Sequence, residues 1–297
     1  MTPNNPEAKP THHLLGILAL ALVALLWGTT FAVVRGTLEQ ISPALILALR
    51  FSLAGLFFLP WLRSDSRALL AGAELGIWLF GGYALQTAGL LYTTASRSAF
   101  ISALAVVLVP LLAIWAGRKL GVSAWLSVAL ALAGVILLVG SGGSPNLGDL
   151  LTVISALLYA IYILRLESYA FRFSPLPLTA AQLTSVALFS WLWVGFDDTN
   201  FASIPWPTLV YLGIFTTAAT TWLQTWAQGQ INAVEAAVIY SLEPVFGAIF
   251  AFWLLGETLG FRGWLGAALV IGATLIMQIP SRANNAKPAD NPISPDR

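Results

Sequence analysis

The stretch IYSLEPVFGAIFAFWLLGE, residues 239–257, sets an acid and a proline side by side inside an otherwise apolar run. The run extends from Asn232 to Leu255, 24 residues. As a helix it would measure roughly 36 Å, slightly more than a hydrocarbon core. Glu243 lies at its middle. A carboxyl group and a proline are both costly at that depth, so each needs a structural or a functional reason.

The rest of the chain supports a membrane setting. Of 297 residues, 58% are hydrophobic and 9% are charged, and the mean hydropathy is +0.82. A soluble domain carries about 25% charge, so this chain could not cover a water-facing surface. An all-α, polytopic membrane protein is expected. The net charge of +1 comes without a basic run, which argues against nucleic acid as a partner. The absence of cysteine excludes disulfides and thiolate metal sites. His12 and His13, in a polar N-terminus, read as tail residues rather than metal ligands, and no cofactor is expected.

No catalytic set is visible either. Ser98 and Ser102 share a face of one span, but no base accompanies them. The turn SGGSPNLGD, Ser141–Asp149, has no lysine after its glycines, so it is not a phosphate-binding loop. The reading is therefore not an enzyme and not an ATP-driven pump.

Ten apolar spans can be placed near 14–34, 43–62, 73–91, 94–116, 122–140, 150–168, 176–195, 207–227, 233–255 and 262–280. The first is about 21 residues long and is followed by nine more, so it reads as a retained span rather than a signal peptide. Residues 1–13 and 281–297 read as polar tails. With the N-terminus inside, Lys9, Arg63, Arg67, Arg118, Lys119, Arg165, Arg172, Arg282, Lys287 and Arg297 lie on the inner side. Only Arg35, Arg97 and Arg262 lie outside, and Arg50 falls within a span, which accounts for all 14 basic residues. This bias places both tails in the cytoplasm.

The chain also repeats itself. SPALILALR from Ser42 matches SPLPLTAAQ from Ser174, Pro110 matches Pro244, and WLSVALALAG from Trp125 matches WLGAALVIGA from Trp264. The offsets are nearly constant. They divide the chain into five-span halves, 14–140 and 148–280. An odd number of spans makes the second half enter from the opposite side, giving the inverted repeat of a secondary transporter with its site near the midplane.

These residues resemble a known family. WGTTF at 27–31, LRFSLAG at 49–55 and SLEPVFGAIFAFWLLGE at 241–257 are similar to the EamA branch of the drug/metabolite transporter superfamily, and the similarity covers residues 14–280. Within that branch the chain looks closest to the YddG-type exporters of aromatic and other amino acids. The resemblance implies a bacterial inner-membrane, multi-pass exporter. One departure stands out: many first repeats end the fourth span with an acidic LGE, whereas this chain reads AIWAGRKLG, with Arg118 and Lys119.

Several mid-span residues are candidates for a translocation path. Pro244 lacks the N–H that would reach the Tyr240 carbonyl, and Pro110 likewise frees that of Val106, so both are expected to kink their helices. Glu243 shares a face with Tyr240 and could meet a substrate ammonium or take a proton; a packing role is the bland alternative. Trp27 with Thr30, Tyr83 with Gln86, and Tyr159 with Tyr162 lie mid-membrane, one turn apart. Trp222 sits in the eighth span among Thr221, Gln224, Thr225 and Gln228. A ring of aromatic, amide and hydroxyl groups would make an amphipathic cavity, although the same groups also pack helices. Arg50, near the start of the second span, could bind a carboxylate or fix neighbouring helices. Glu74, Asp65, Glu167, Glu235 and Glu257 read as solvated helix-end charges.

The expected function is export of aromatic and other apolar amino acids and related metabolites across the bilayer by alternating access. A sugar nucleotide would require a basic cluster, and only Arg50 lies at depth. The runner-up is export of other metabolites or hydrophobic drugs through the same fold. A third possibility, an intramembrane enzyme or anchoring subunit, lacks both a catalytic set and a soluble domain. A ten-span carrier needs no partner for its path and is expected to act as a monomer.

Overall fold

The computed structural model describes residues 10–139, 146–197, 201, 203–258 and 260–277. The tail 281–297 and most of the Ser141–Asp149 turn lie outside the described residues. Among the described residues all regular structure is helical. In chain order the helices are α1 Pro10–Thr37, α2 Pro43–Phe58, α3 Ser66–Gly89, α4 Ala95–Ser102, α5 Ala105–Trp115, α6 Val122–Val139, α7 Leu147–Ala170 and α8 Pro175–Val194. They continue with α9 Trp206–Val210, a wider π-helical segment Tyr211–Ala219, α10 Thr220–Gln228, α11 Ala233–Tyr240, α12 Glu243–Leu255 and α13 Phe261–Met277.

Among the described residues, seven helical segments are long and apolar enough to cross a membrane. The segments read as the fifth, eighth and tenth spans fall outside that set. The eighth, Trp206–Gln228, has a chemical reason: Thr216, Thr217, Thr220, Thr221, Gln224, Thr225 and Gln228 are all buried along it. Polar side chains turned inward lower its apolarity without exposing it. The outer surface is the reverse of a soluble protein's, with Leu70, Trp115, Trp253 and Phe261 all exposed, as lipid contact requires.

Sequence signals explain where the helices begin. Ser42 caps α2 by accepting from the Leu45 N–H at 3.3 Å, with Pro43 in the first turn, and α8 likewise opens on a Ser-Pro pair, Ser174-Pro175, although Ser174 makes no side-chain capping bond. A proline there loses nothing, because the first N–H groups of a helix have no internal partner. Asp65 caps α3 and Asn146 caps α7.

The membrane-depth segments carrying the two prolines are each broken. α4 follows cap Thr94 and α11 follows cap Asn232, 138 residues later, and each is eight residues long. Tight turns follow, in which the Leu104 N–H reaches the Ile101 carbonyl at 3.0 Å and the Leu242 N–H reaches that of Ile239 at 3.1 Å. α5 and α12 then run on to Gly117 (φ 85°) and Gly256 (φ 70°), left-handed positions that suit glycine. The pairing of Pro110 with Pro244 is corrected by this geometry. Pro244 starts α12, whereas Pro110 lies inside α5 and marks no break. The sequence match was one turn out of register, a slip that leaves an apolar helix face almost unchanged.

Helices of the first and second halves interleave. α2 packs on α8, α6 on α13, α3 on both α7 and α8, and α1 on α12 and α10. The α1–α12 approach is close. A Cβ on Gly28 would fall 2.6 Å from Phe246 Cβ and 2.9 Å from the Gly247 nitrogen.

The polar ends also differ from their reading as solvated charges. α1 begins at Pro10, so His13 is helical, and its Nε2 lies 3.1 Å from Glu235 on α11. Arg118 reaches Glu167 at 2.6 Å, and Arg165 reaches Glu74 at 2.6 Å. Glu257 accepts from the Ala95 and Ser96 N–H groups at 3.2 and 3.0 Å and so caps α4. Each of these contacts joins one half of the chain to the other. The acids are partnered because the helices bring cations and orphan N–H groups to them.

Candidate functional site

A central cavity lies where α1, α3, α7 and α10 meet the two helix breaks. Trp27 and Thr30, Tyr83 and Gln86, Tyr159 and Tyr162, and Tyr240 and Glu243 all line it. The break between α4 and α5 contributes Ser102, Ala103, Ala105 and Val106. The break between α11 and α12 contributes Tyr240, Ser241 and Glu243. Interrupted helices suit such a place, because backbone outside regular helix is tolerated at membrane depth only where it is buried or faces a cavity.

The aromatic walls are held from behind. Trp27 Nε1 donates to Thr220 Oγ1 at 3.1 Å, and its ring lies 5.3 Å from that of Tyr240. The Tyr83 and Tyr159 rings meet edge to face at 5.6 Å, a favourable geometry for ring quadrupoles. Gly82 leaves room for this pair, since a Cβ there would lie 2.6 Å from Tyr159 Cε1. The Tyr159 hydroxyl donates to Gln86 Oε1 at 3.2 Å, and Gln86 Nε2 donates to Ser102 Oγ at 2.9 Å. The Tyr162 hydroxyl donates to Gln182 Oε1 at 2.7 Å.

Glu243 stands in the first turn of α12 and keeps some accessible surface because it faces the cavity. Among the described residues no cation pairs with it, and it is the only lining side chain with a formal charge. The cavity can therefore receive a cationic nitrogen beside aromatic faces, with amide and hydroxyl groups to orient a neutral or zwitterionic body.

Three expectations land elsewhere. Trp222 is 37% exposed and absent from the lining. The buried face of α10 is taken by Thr220, Thr221, Gln224, Thr225 and Gln228, which turns Trp222 outward. Pro110 is buried in α5 and likewise absent from the lining. Arg50 is 1% exposed and lies behind the wall. Its Nε donates to Thr217 Oγ1 and its Nη2 to the Thr216 carbonyl at 3.0 Å, while the guanidinium sits 4.9 Å from the Tyr83 ring centroid. Those partners assign it to the scaffold. Its carboxylate-binding reading finds no support in the cavity.

Ser102 and Ser241 line the cavity but were not expected there. Their signal was weak, since a serine among apolar residues is common in packed membrane helices. The half-helix caps Thr94 and Asn232 could have located both breaks.

Comparison with known proteins gives a consistent result. The model of the EamA-like transporter family matches residues 14–140 and again 146–279. A protein of Archaeoglobus fulgidus described as an uncharacterized transporter is 35% identical over 278 residues, covering 92% of this chain and 88% of its own length. YvbV of Bacillus subtilis, also described as an uncharacterized transporter, is 27% identical over 91% of this chain and 93% of its own. YedA of Escherichia coli K12, described as an uncharacterized inner membrane transporter, is 25% identical over 94% and 95%. A solved structure covering 93% of this chain and 99% of its own superposes with a TM-score of 0.73 at 18% identity, a likeness of fold.

Proposed function

The chain belongs to the EamA-like transporter family and is a multi-pass membrane transporter, not an enzyme; from that premise we propose that it exports aromatic and other apolar amino acids by alternating access. One observation carries the reading. The cavity places a single acid, Glu243, among four tyrosines and Trp27, with no basic side chain in its lining. An ammonium finds Glu243, and an apolar or ring-bearing body finds π-faces. A strongly anionic cargo finds no counter-charge.

The proposed architecture is ten spans in two inverted five-helix repeats, acting as a monomer in a bacterial inner membrane with both termini cytoplasmic. The 138-residue spacing of the half-helix caps and the twofold match of the family model support it. A cysteine at Glu39 should then react from outside and one at Ser64 from inside. The opposite pattern overturns the orientation.

A second reading, export of other metabolites or hydrophobic drugs, is favoured by the same lone charge, since a bare amine meets the same partner. Flux into liposomes containing the purified protein separates the two when amino acids are run beside apolar amines, with and without a pH gradient. We expect phenylalanine flux in the parent. Glu243→Gln should remain membrane-inserted yet lose most of that flux or its pH dependence. Parental rate and pH profile in Glu243→Gln would make the acid structural.

A further inference from the structure

The two helix breaks occupy matching positions but carry different chemistry. Thr94 and Asn232 cap half-helices 138 residues apart. The same spacing relates Gln86 to Gln224, Ser102 to Tyr240 and Ala105 to Glu243, and all six line the cavity. On the first-half side the glutamine is closed, because Gln86 Nε2 donates to Ser102 Oγ at 2.9 Å and its Oε1 accepts from Tyr159. On the second-half side it is open. Gln224 is 1% exposed, and its Nε2 has no hydrogen-bond partner among the described residues.

Of the buried polar atoms in that condition, Gln224 Nε2 is the one belonging to a cavity-lining residue. The Gln224 Oε1 lies 3.3 Å from the Tyr162 hydroxyl. The Gln224 amide is directed at the Tyr240 hydroxyl oxygen but falls outside hydrogen-bond geometry, and the Tyr240 hydroxyl donates to Gln228 Oε1 at 3.4 Å. A buried donor so poorly paired is costly, and native structures rarely leave one. An acceptor supplied by the cargo removes that cost.

We infer that Gln224 is a specificity-determining residue that donates from Nε2 to an acceptor oxygen on the cargo's polar head. The inference rests on the proposed export function. It orients the cargo. The head, carrying a cationic nitrogen and an acceptor oxygen, faces Gln224, Tyr240 and Glu243, and the apolar body faces Ala103, Ala105 and Val106. An α-amino carboxylate fits this head, and a bare amine leaves the Gln224 donor unmet.

The test compares liposome flux of phenylalanine with that of phenethylamine, which lacks the carboxylate. Gln224→Met keeps much of the side-chain length without a donor or a charge, and Gln224→Leu shortens it as well. Both should cut phenylalanine flux at low substrate about tenfold or more, with phenethylamine flux nearly unchanged. Retained phenethylamine flux also shows that the variants are folded. Gln86→Leu, whose donor is already paired, should not separate the two cargoes. Equal losses for both cargoes in Gln224→Met and Gln224→Leu, or no loss at all, overturn the inference while leaving amino-acid export standing. A parent that carries phenethylamine but not phenylalanine overturns it in favour of amine export, and a parent that carries neither overturns both.

Discussion

Compare the two ends of the molecule. At one, Arg97 on α4 meets Asp149 on α7 at 2.8 Å, with side chains 6% and 10% exposed. At the other, Glu235 on α11 meets His13 on α1 at 3.1 Å, with the histidine 43% exposed. Arg97 and Glu235 hold the same place, third in their half-helices. The frame is repeated and the charge is reversed. Asp149 is further fixed by Thr93, which donates at 3.0 Å, and by the Asn146 N–H at 2.9 Å. The second end spreads its charge over more exposed pairs, Arg118–Glu167 and Arg165–Glu74, in each of which the arginine is over 40% exposed. Among the described residues one end is therefore held by a desolvated pair and the other by several more exposed ones, so separating the halves should cost more at the Arg97 end.

This comparison breaks most readily at its buried pair. Asp149→Ala leaves a buried guanidinium without its carboxylate and should destabilise the fold by about 3–5 kcal/mol. The thermal midpoint in detergent reads this directly, and a change as small as that of a surface pair would erase the contrast between the ends. Next comes Arg118→Ala, which strands the buried Glu167 but loses only a half-exposed cation. About 1–3 kcal/mol is expected in the same assay. The smallest effect belongs to His13→Ala, whose side chain is 43% exposed, and no more than about 1 kcal/mol should be lost. If His13→Ala proves as damaging as Asp149→Ala, the two ends are equivalent despite their difference in burial.

Much of the cavity was legible because lipid is an unforgiving solvent. A mid-span Tyr83, Gln86 or Glu243 must turn inward or remain unpaired, so type and depth alone pointed to these residues. Trp222 shows where that logic ends. An indole is tolerated facing lipid, so depth did not reveal its face; the threonines and glutamines around it did. Arg50 was legible as buried but not in its role, because its partners Thr216 and Thr217 lie far along the chain. The ion pairs escaped for the same reason. Nothing local in Arg97 names Asp149. Pro110 misled because a one-turn slip preserves an apolar face, whereas the polar caps Thr94 and Asn232 fix the register.

The wide turn at Tyr211–Ala219 carries a consequence for what the cavity sees. There Thr217 Oγ1 donates to the Leu212 carbonyl five residues back at 2.7 Å, while the Thr216 carbonyl is given to Arg50. Such a turn absorbs an extra residue, and one residue of α-helix amounts to about 100° of rotation. The width of that turn thus sets the phase of α10, and Arg50 shares the Thr216 carbonyl there with the Thr220 hydroxyl. Were that turn to tighten into ordinary α-helix with the same residues, Gln224 and Thr220 would swing out of alignment and Trp222 would rotate off its present face. Arg50, which lies outside the cavity lining, is thus tied to the turn that aims α10 at the cavity.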